Sequence, residues 1–354
     1  MRVAYLNQDR GIAPGRKKGA AVHVEAMQEA FRALGCEVLP VEAKQGPAAR
    51  EALERLHADG PLDLLYERYA LAAATGGEFA RERGVAHVLE VNSPLLEEEA
   101  RHRGGTLDAA AREREAALLA APTRVFAVSR EVAEHVVGLG VPRARVEVHP
   151  NAVDTRRFRP LPRRALRAEL GLPADALVVG FHGRLRPWHG FERIAAAVAS
   201  LAAAGFEAHV LTVGEGEYAE ALATHGLVER STCMPWLPHA EVARVVAAFD
   251  VLPLGYAADA PFYFSPLKLL EAMACGAVPL VPDLGELPAL VEHGAAGAVY
   301  AAGSDAALGA GLARLARDAG LRERLGARAV EVAAGRSWEA IARAALACAG
   351  SVAR

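Results

Sequence analysis

Short apolar runs alternate with stretches of helical periodicity along most of the chain. In the first half, runs of the length typical of β-strands are separated by amphipathic segments. The predicted strands are 2–6, 37–41, 62–66, 86–91, 124–128 and 146–149. The predicted helices are 22–34, 77–83, 97–120 and 130–138. Because strands and helices alternate, the pattern predicts parallel β-α-β units.

A proline- and arginine-rich stretch, 154–173, interrupts this alternation and predicts a linker with a short basic helix. Beyond it the predicted strands are 176–182, 208–213, 231–234, 251–253 and 278–281. The predicted helices are 191–204, 239–248, 267–275, 305–315, 319–334 and 338–352. A length of 354 residues suits two domains. Two such α/β domains facing each other would form a cleft lined by the carboxyl ends of both sheets.

Composition excludes several classes of protein. A net charge of −3 gives no electrostatic support for nucleic-acid binding. Four well-separated cysteines without a CxxC pair predict neither disulfides nor zinc, and a reducing cytoplasm is expected. No apolar run has the length of a membrane helix, although the basic cluster Arg16, Lys17 and Lys18 would allow peripheral membrane contact. Lys268 is the only lysine beyond residue 44.

The segment most informative about function is 262–279, which reads FYFSPLKLLEAMACGAVP. Ser265 and Pro266 precede its predicted helix, and a proline suits the first helical turn. Lys268 and Glu271 are three residues apart and share one face near the helix start. An anion there would meet free backbone N–H groups and an ammonium, and the carboxylate could accept sugar hydroxyls. The alternative is a capped core helix whose polar residues reach solvent.

Two strand-end loops in the second half are further candidates. HGRLRPWHG, residues 182–190, places Arg184 and His189 where a diphosphate could be held, and a surface turn is the alternative. The second loop, which begins at Gly214, has the GxGxxA shape of a dinucleotide fingerprint. Two glutamates in it would repel a pyrophosphate, so a turn bordering another ligand is favoured over a nicotinamide or flavin site.

In the first half, Gly19 and Ala20 permit close backbone approach before a helix that carries His23 in its first turn. Asn92 lies at a strand end, and the acidic group that includes Glu98 is either a solvated helix start or a source of general bases. No Ser-His-Asp order, HExxH, EF-hand loop or zinc spacing occurs, so no required metal is indicated.

Seven segments together resemble, in order, the family 4 retaining glycosyltransferases of the GT-B fold (glycosyl transferases group 1). They read KGAAVHVEAM, EVNSPLLEEEARHRG, VFAVSREVAEHV, VEVHPNAVDTRRFRP, GRLRPWHGFE, MPWLPHAEVA and FYFSPLKLLEAMACGAVPLV. The resemblance implies two facing Rossmann-like, doubly wound α/β domains. The acceptor-side domain would comprise residues 1–160, with the final helix, 338–354, crossing back onto it. The donor domain would comprise residues 171–335.

The resemblance also implies roles for individual residues. Glu271 matches the glutamate that binds the ribose, and Arg184 matches the diphosphate arginine. Asn92 is similar in position to a histidine close to the reacting sugar. The predicted catalytic residues are therefore Arg184, Lys268, Glu271 and Asn92. The predicted donor-binding residues are Gly183, His189, Gly214, Met234, Trp236, Ser265, Pro266, Leu267, Lys268 and Glu271. The predicted acceptor-side residues are Gly19, Ala20, His23 and Glu98.

Two positions depart from the family pattern. The first acid of the E-x7-E motif is replaced by Tyr263, and the lysine of the Arg…Lys-Gly loop is replaced by His189. We expect Lys268 to supply the missing charge from the opposite helix. One charge pair at about 4 Å and an effective dielectric constant of about 20 is worth roughly 4 kcal/mol.

The activity implied is transfer of a sugar, with retention, from a nucleoside-diphosphate sugar to an unidentified acceptor. A UDP-sugar is expected first and a GDP-sugar next, with no cofactor and no metal. The alternatives are a phosphorolytic or epimerising GT-B enzyme, a catalytically silent nucleotide-sugar-binding protein and, last, a dinucleotide oxidoreductase.

Overall fold

The computed structural model describes residues 1–12, 19–42, 45–102, 104–259, 262–263 and 265–352. The basic cluster Arg16, Lys17 and Lys18 lies outside these ranges. Contacts divide the chain into two compact units. Unit 1 comprises Met1–Asn151, Tyr263–Ser265 and Trp338–Arg354, and unit 2 comprises Ala152–Phe262 and Pro266–Ser337. Within the described ranges, no helix has both the length and the apolar character needed to cross a membrane.

Unit 1 is built on a parallel sheet of six strands in the order β2-β1-β3-β4-β5-β6. The strands are β1 (Arg2–Asn7), β2 (Glu37–Glu42), β3 (Leu64–Arg68), β4 (Ala86–Val91), β5 (Arg124–Ala127) and β6 (Val146–Val148). Six helices connect or follow them: α1 (Gly19–Ala33), α2 (Gly46–Ala58), α3 (Thr75–Arg83), α4 (Leu95–His102), α5 (Ala109–Ala120) and α6 (Arg130–Gly138). Fully buried Leu53, Leu65 and Phe79 pack in one core between the sheet and its helices.

The prediction of one continuous helix over 97–120 was wrong. The structure ends α4 at His102 and begins α5 at Ala109. Gly104 adopts a left-handed backbone with φ of 71°, which stops a right-handed helix. The side chain of Asp108 then accepts a hydrogen bond from the N–H of Ala111 and caps the new helix. Periodicity alone did not reveal this break, because it depends on the backbone conformation of Gly104 and on the cap at Asp108.

Unit 2 repeats the architecture with a second parallel six-stranded sheet in the order β12-β11-β10-β7-β8-β9. The strands are β7 (Leu177–Arg184), β8 (Ala208–Glu215), β9 (Ser231–Met234), β10 (Val251–Pro253), β11 (Val278–Pro282) and β12 (Ala298–Tyr300). The helices are α7 (Arg163–Glu169), α8 (Phe191–Ala203), α9 (Tyr218–Thr224), α10 (His239–Val246), α11 (Leu267–Ala274), α12 (Leu287–Leu290), α13 (Asp305–Arg317) and α14 (Ala319–Ala334). The two parallel α/β sheets confirm the predicted fold class.

The last helix, α15 (Trp338–Val352), returns to unit 1 and packs on α1 and β4. Trp338 is buried there, with its ring edge-on to His23 at a centroid distance of 4.7 Å. The predicted return of the C-terminal helix to the N-terminal domain is thereby confirmed.

Candidate functional site

Strand order in unit 2 brings the candidate donor residues to one edge of its sheet. β7 and β8 are neighbours, and their register pairs Gly183 with Gly214 at their carboxyl ends. β9 follows β8 and ends at Met234, so the chain toward Trp236 leaves from the same edge. Because all neighbouring strands are parallel, the loops after them emerge on one side of the sheet. The predicted position of these residues at strand ends is confirmed, and their role at the donor stays a prediction.

Close backbone packing explains the glycine at position 214. Its φ is 142°, and a Cβ atom there would overlap the carbonyl oxygen of Gly183. The same carbonyl accepts a hydrogen bond of 2.8 Å from the hydroxyl of Tyr218. Any side chain at position 214 would push the ends of β7 and β8 apart, so a glycine is required for these strand ends to pack closely.

The loop after β7 fixes the orientation of His189. The backbone N–H of Arg186 donates to Nδ1 of His189 over 3.1 Å. A backbone N–H can only donate, so Nδ1 must accept and the proton of the neutral ring lies on Nε2. Burial, aided by the charges of Lys268 and Arg186, lowers the pKa of His189 to about 3. At neutral pH this side chain therefore offers one uncharged N–H donor.

Lys268 lies in the first turn of α11 and meets His189 from the other side. Its Nζ lies 3.4 Å from Nε2 of His189 and 4.0 Å from the centre of the Phe181 ring. Burial lowers the pKa of Lys268 to about 7, although the charge of Glu271 opposes this effect. The Phe181 ring face contacts the ammonium, and Nε2–H of His189 is a second donor beside it. Among the described residues, no carboxylate is in direct contact with this ammonium as a negative counter-charge. An arriving anion would supply one and would meet the Nε2–H of His189 at the same place.

Glu271 is almost completely buried and is held by two histidines. Nε2 of His182, at the end of β7, lies 2.6 Å from one carboxylate oxygen, and Nε2 of His239, at the start of α10, lies 2.8 Å from the other. Arg157 donates to Nδ1 of His239 over 2.9 Å, so the ring proton of neutral His239 lies on Nε2 and points at Glu271. Burial alone would raise the pKa of Glu271, but the two histidine bonds outweigh it and hold the pKa far below its usual range.

The two histidines differ in exposure, which defines the accessible side of the carboxylate. The His182 side chain is 4% exposed, whereas that of His239 is 26% exposed. Each carboxylate oxygen can accept two hydrogen bonds, so the oxygen facing His239 keeps acceptor capacity on the more open side. Sequence reasoning missed both histidines, although their positions at a strand end and a helix start were a signal.

Replacement of His182 by valine should destabilise unit 2, because one oxygen of a buried carboxylate loses its donor. We expect a loss of about 1–3 kcal/mol in the free energy of unfolding, measured by urea denaturation. His209→Val on the neighbouring strand is the matched control, because His209 is also buried and its one side-chain hydrogen bond within the described part of the chain is to the neutral hydroxyl of Thr232. Equal losses in the two variants would contradict a special role for His182.

Arg184, the last residue of β7, is more exposed than the other charged groups of the site. Its side chain is 45% exposed, and its guanidinium lies 3.7 Å from the carboxylate of Glu215. A guanidinium with this freedom can turn toward an incoming phosphate at little cost.

The residues before α11 are divided between the two units. Pro266 and Leu267 belong to unit 2, and Pro266 is the N-cap without a side-chain cap bond. Ser265 belongs to unit 1, where its hydroxyl accepts from the N–H of Asn151 over 3.0 Å. Ser265 is thus engaged in a structural contact in this structure, and its role at the donor stays a prediction.

The residues predicted for the acceptor side all lie in unit 1, at different levels of burial. His23 is 2% exposed, and its Nε2 lies 2.7 Å from the buried carboxylate of Glu90. Gly19 and Ala20 begin α1, and Asn92 follows β4 with a buried carbonyl oxygen that has no partner among the described residues. The hydroxyl of Tyr263 donates to Glu98 over 2.6 Å. Tyr263 therefore contacts a residue of unit 1, and the acceptor roles stay predictions.

Comparison with known proteins identifies the family. The family described as "Glycosyl transferases group 1" matches residues 176–318, and the "Glycosyl transferase 4-like domain" matches residues 12–152. A D-inositol 3-phosphate glycosyltransferase of Nocardia farcinica is 31% identical over 325 residues, which cover 85% of this chain and 66% of the relative. D-inositol 3-phosphate glycosyltransferase 1 of Catenulispora acidiphila is 32% identical, over 81% of this chain and 72% of the relative.

Among solved structures, Anabaena Alr3699/HepE in complex with UDP-glucose is similar in fold. The TM-score is 0.73 at 21% identity, and 98% of each chain is covered. The two family matches and the two relatives agree with the resemblance seen in the sequence motifs. The chain belongs to the glycosyl transferases group 1, family 4, and is a glycosyltransferase of the GT-B fold.

Proposed function

We propose that the protein moves a sugar from a nucleoside-diphosphate sugar to an acceptor hydroxyl, with retention and without a metal. The observation that carries the proposal is the meeting of Lys268 and His189 at the amino end of α11, 3.4 Å apart. Three kinds of donor point to this place: an ammonium, a neutral imidazole N–H and the first backbone amides of the helix. A diphosphate satisfies all three at once.

The pentose is assigned to Glu271, one turn further along α11. The more open carboxylate oxygen, now facing His239, accepts a ribose hydroxyl beside that histidine or in its place. His182 holds the other carboxylate oxygen of Glu271, so the carboxylate is already oriented when the donor binds.

In the proposed reaction the bond between the anomeric carbon and the diphosphate oxygen breaks, and a bond from that carbon to the acceptor oxygen forms on the same face. The proton of the acceptor hydroxyl passes to a phosphate oxygen of the departing group. Arg184, Lys268 and the amino end of α11 stabilise the negative charge that develops on the diphosphate. These positive groups supply the charge that a metal ion supplies in other transferases.

UDP is the favoured carrier. Two of the similar Anabaena Alr3699/HepE structures contain UDP-glucose or UDP with glucose, which makes UDP-glucose the first donor to test. The two curated relatives act on D-inositol 3-phosphate according to their names, which makes that compound the first acceptor to test.

The direct experiment incubates the protein with UDP-glucose, alone, with D-inositol 3-phosphate, and with inorganic phosphate. We expect UDP release that requires a sugar or polyol acceptor, persists in EDTA and gives an α-linked product by NMR. A GDP-glucose arm tests the carrier base. Formation of a sugar phosphate with inorganic phosphate would support the phosphorolytic alternative instead. Tight UDP binding without product across an acceptor panel would support a silent binding protein.

Donor affinity should depend on pH through Lys268. In the free protein its pKa is about 7, and a bound diphosphate raises that pKa because it stabilises the ammonium. The affinity for UDP-glucose should be constant below pH 7 and then fall by up to about tenfold per pH unit. UDP-glucose is the suitable ligand because its diphosphate diester does not titrate in this range.

Isothermal titration between pH 6 and 9 measures this effect, and the Lys268→Met variant should show weak binding that no longer changes with pH. A wild-type affinity that is flat to pH 9 would contradict the role of Lys268.

A further inference from the structure

Unit 1 contains a cavity of about 320 Å³ that has no part in the donor site. It lies between α3 and α5 and is bordered by Glu67 of β3 and His87 of β4. Six of its thirteen lining residues are alanine or glycine, and Glu67 and His87 are its most buried polar residues. This volume lies near the lower end of the range of roughly 300–1,000 Å³ that is typical of small-ligand pockets.

The deepest polar group is not satisfied by the protein. His87 is 3% exposed, and its Nε2 lies 2.9 Å from Glu67 without the alignment of a hydrogen bond. Neither ring nitrogen of His87 therefore has a hydrogen-bonding partner among the described residues. Gly77 lies beside the ring, and a Cβ atom at position 77 would lie 2.9 Å from the Cβ of Ala121 and 4.0 Å from Nδ1 of His87, so any side chain there would narrow the cavity between α3 and α5. Buried polar groups usually have a hydrogen-bonding partner, so Nδ1 of His87 is available to a bound ligand or an ordered water.

Glu67 itself is held in place. Gln8 donates to its other carboxylate oxygen over 2.7 Å, and Gly76 leaves room for it, since a Cβ atom at position 76 would overlap the carboxylate. These contacts hold the Glu67 carboxylate 2.9 Å from Nε2 of His87.

The mouth of the cavity is more positive than negative. Arg81 and Arg114 line it together with one acid, Glu78. The amino end of α3 also opens here, with Ala74 as an N-cap that provides no side-chain bond. The first backbone N–H groups of the helix and two guanidinium groups thus favour an anionic group at the rim.

We propose that this cavity binds a monophosphorylated sugar or polyol, with a hydroxyl on His87 and the phosphate between Arg81, Arg114 and the start of α3. Hydroxyl groups suit this end of the cavity because they both donate and accept, and so can pair with either tautomer of the imidazole. None of the residues that line this cavity is among those predicted for the donor or the acceptor. The inference does not depend on the proposed transfer reaction.

The test uses the full chain and glucose 6-phosphate as the probe, with isothermal titration and a crystal soak. We expect glucose 6-phosphate to bind at least tenfold more tightly than inorganic phosphate. Saturating UDP should not displace it. No binding of glucose 6-phosphate, or its displacement by UDP, would overturn the proposal.

Two matched pairs of variants locate the site. Ala117→Leu fills the cavity and should abolish probe binding, whereas Ala110→Leu lies on the same helix away from the cavity and should not. Arg114→Gln should weaken binding about fivefold, whereas Arg112→Gln, also exposed on α5, should leave it unchanged. Since all four positions are on the surface of one helix, failure to fold is not expected, and unchanged UDP binding checks it. Equal binding by both members of each pair would refute the assignment.

Discussion

Replacement of Lys268 by alanine is expected to reduce turnover about a thousandfold, as severely as replacement of Arg184. The reason is the charge that the departing diphosphate develops. One charge pair at about 4 Å and an effective dielectric constant of about 20 is worth roughly 4 kcal/mol, and about 1.4 kcal/mol corresponds to tenfold in rate. Because His189 is neutral at pH values near 7, it cannot replace this charge. Steady-state kinetics at pH 6, where Lys268 is protonated, measure the effect.

Two further variants separate charge from packing. Lys268→Met keeps an apolar stem on the Phe181 ring and should be as slow as Lys268→Ala, because only the charge matters in this account. Arg244→Ala removes an exposed arginine of unit 2 that pairs with Glu169, and turnover should stay normal. A Lys268→Ala enzyme with the rate of the wild type would reject the idea that this lysine replaces the one absent from the loop.

Replacement of Glu271 by glutamine is expected to weaken UDP binding about ten- to a hundredfold while changing the affinity for inorganic pyrophosphate less than threefold. A hydrogen bond to a charged group contributes about 1.5–3 kcal/mol, and UDP would lose such a bond from its ribose to Glu271. Pyrophosphate has no pentose, so its affinity does not depend on this bond. An amide also has only one acceptor oxygen, so it cannot satisfy both His182 and His239 and leave room for a ribose hydroxyl.

The comparison should be made at pH 6 by isothermal titration. Glu271 raises the pKa of Lys268 in the wild type, so the variant lowers that pKa, and the lower pH keeps more of Lys268 protonated. Glu220→Gln, an exposed acid of unit 2, is the control and should bind both ligands normally. Equal losses for UDP and pyrophosphate would show that Glu271 acts through the local charge or the fold, and not through the pentose.

Much of the fold could be predicted because strands and helices differ in the period of their apolar residues. The strand at 231–234 and the helices at 319–334 and 338–352 have the predicted bounds. The break between α4 and α5 was not predicted, because it depends on one left-handed glycine and one capping aspartate. The short elements α12 and β12 were also missed, since three or four residues carry too little periodicity to be recognised.

Less of the candidate site could be predicted, because its contacts join residues far apart in the chain. The positions of Lys268 and Glu271 on α11 followed from local spacing. Their neighbours did not: His182 and His239 reach Glu271 across 89 and 32 residues of sequence. No pattern along the chain encodes such a meeting, which arises from the strand order of the sheet. The pKa of Lys268 likewise depends on tertiary burial and on Glu271.

The most direct test of the account is a crystal structure of the protein with UDP bound. The account predicts the diphosphate at the amino end of α11, within hydrogen-bonding distance of the Lys268 ammonium and Nε2 of His189. It also predicts a ribose hydroxyl on the Glu271 oxygen that His239 occupies in the free protein. UDP bound elsewhere, or a ribose that leaves Glu271 enclosed by its two histidines, would contradict the account.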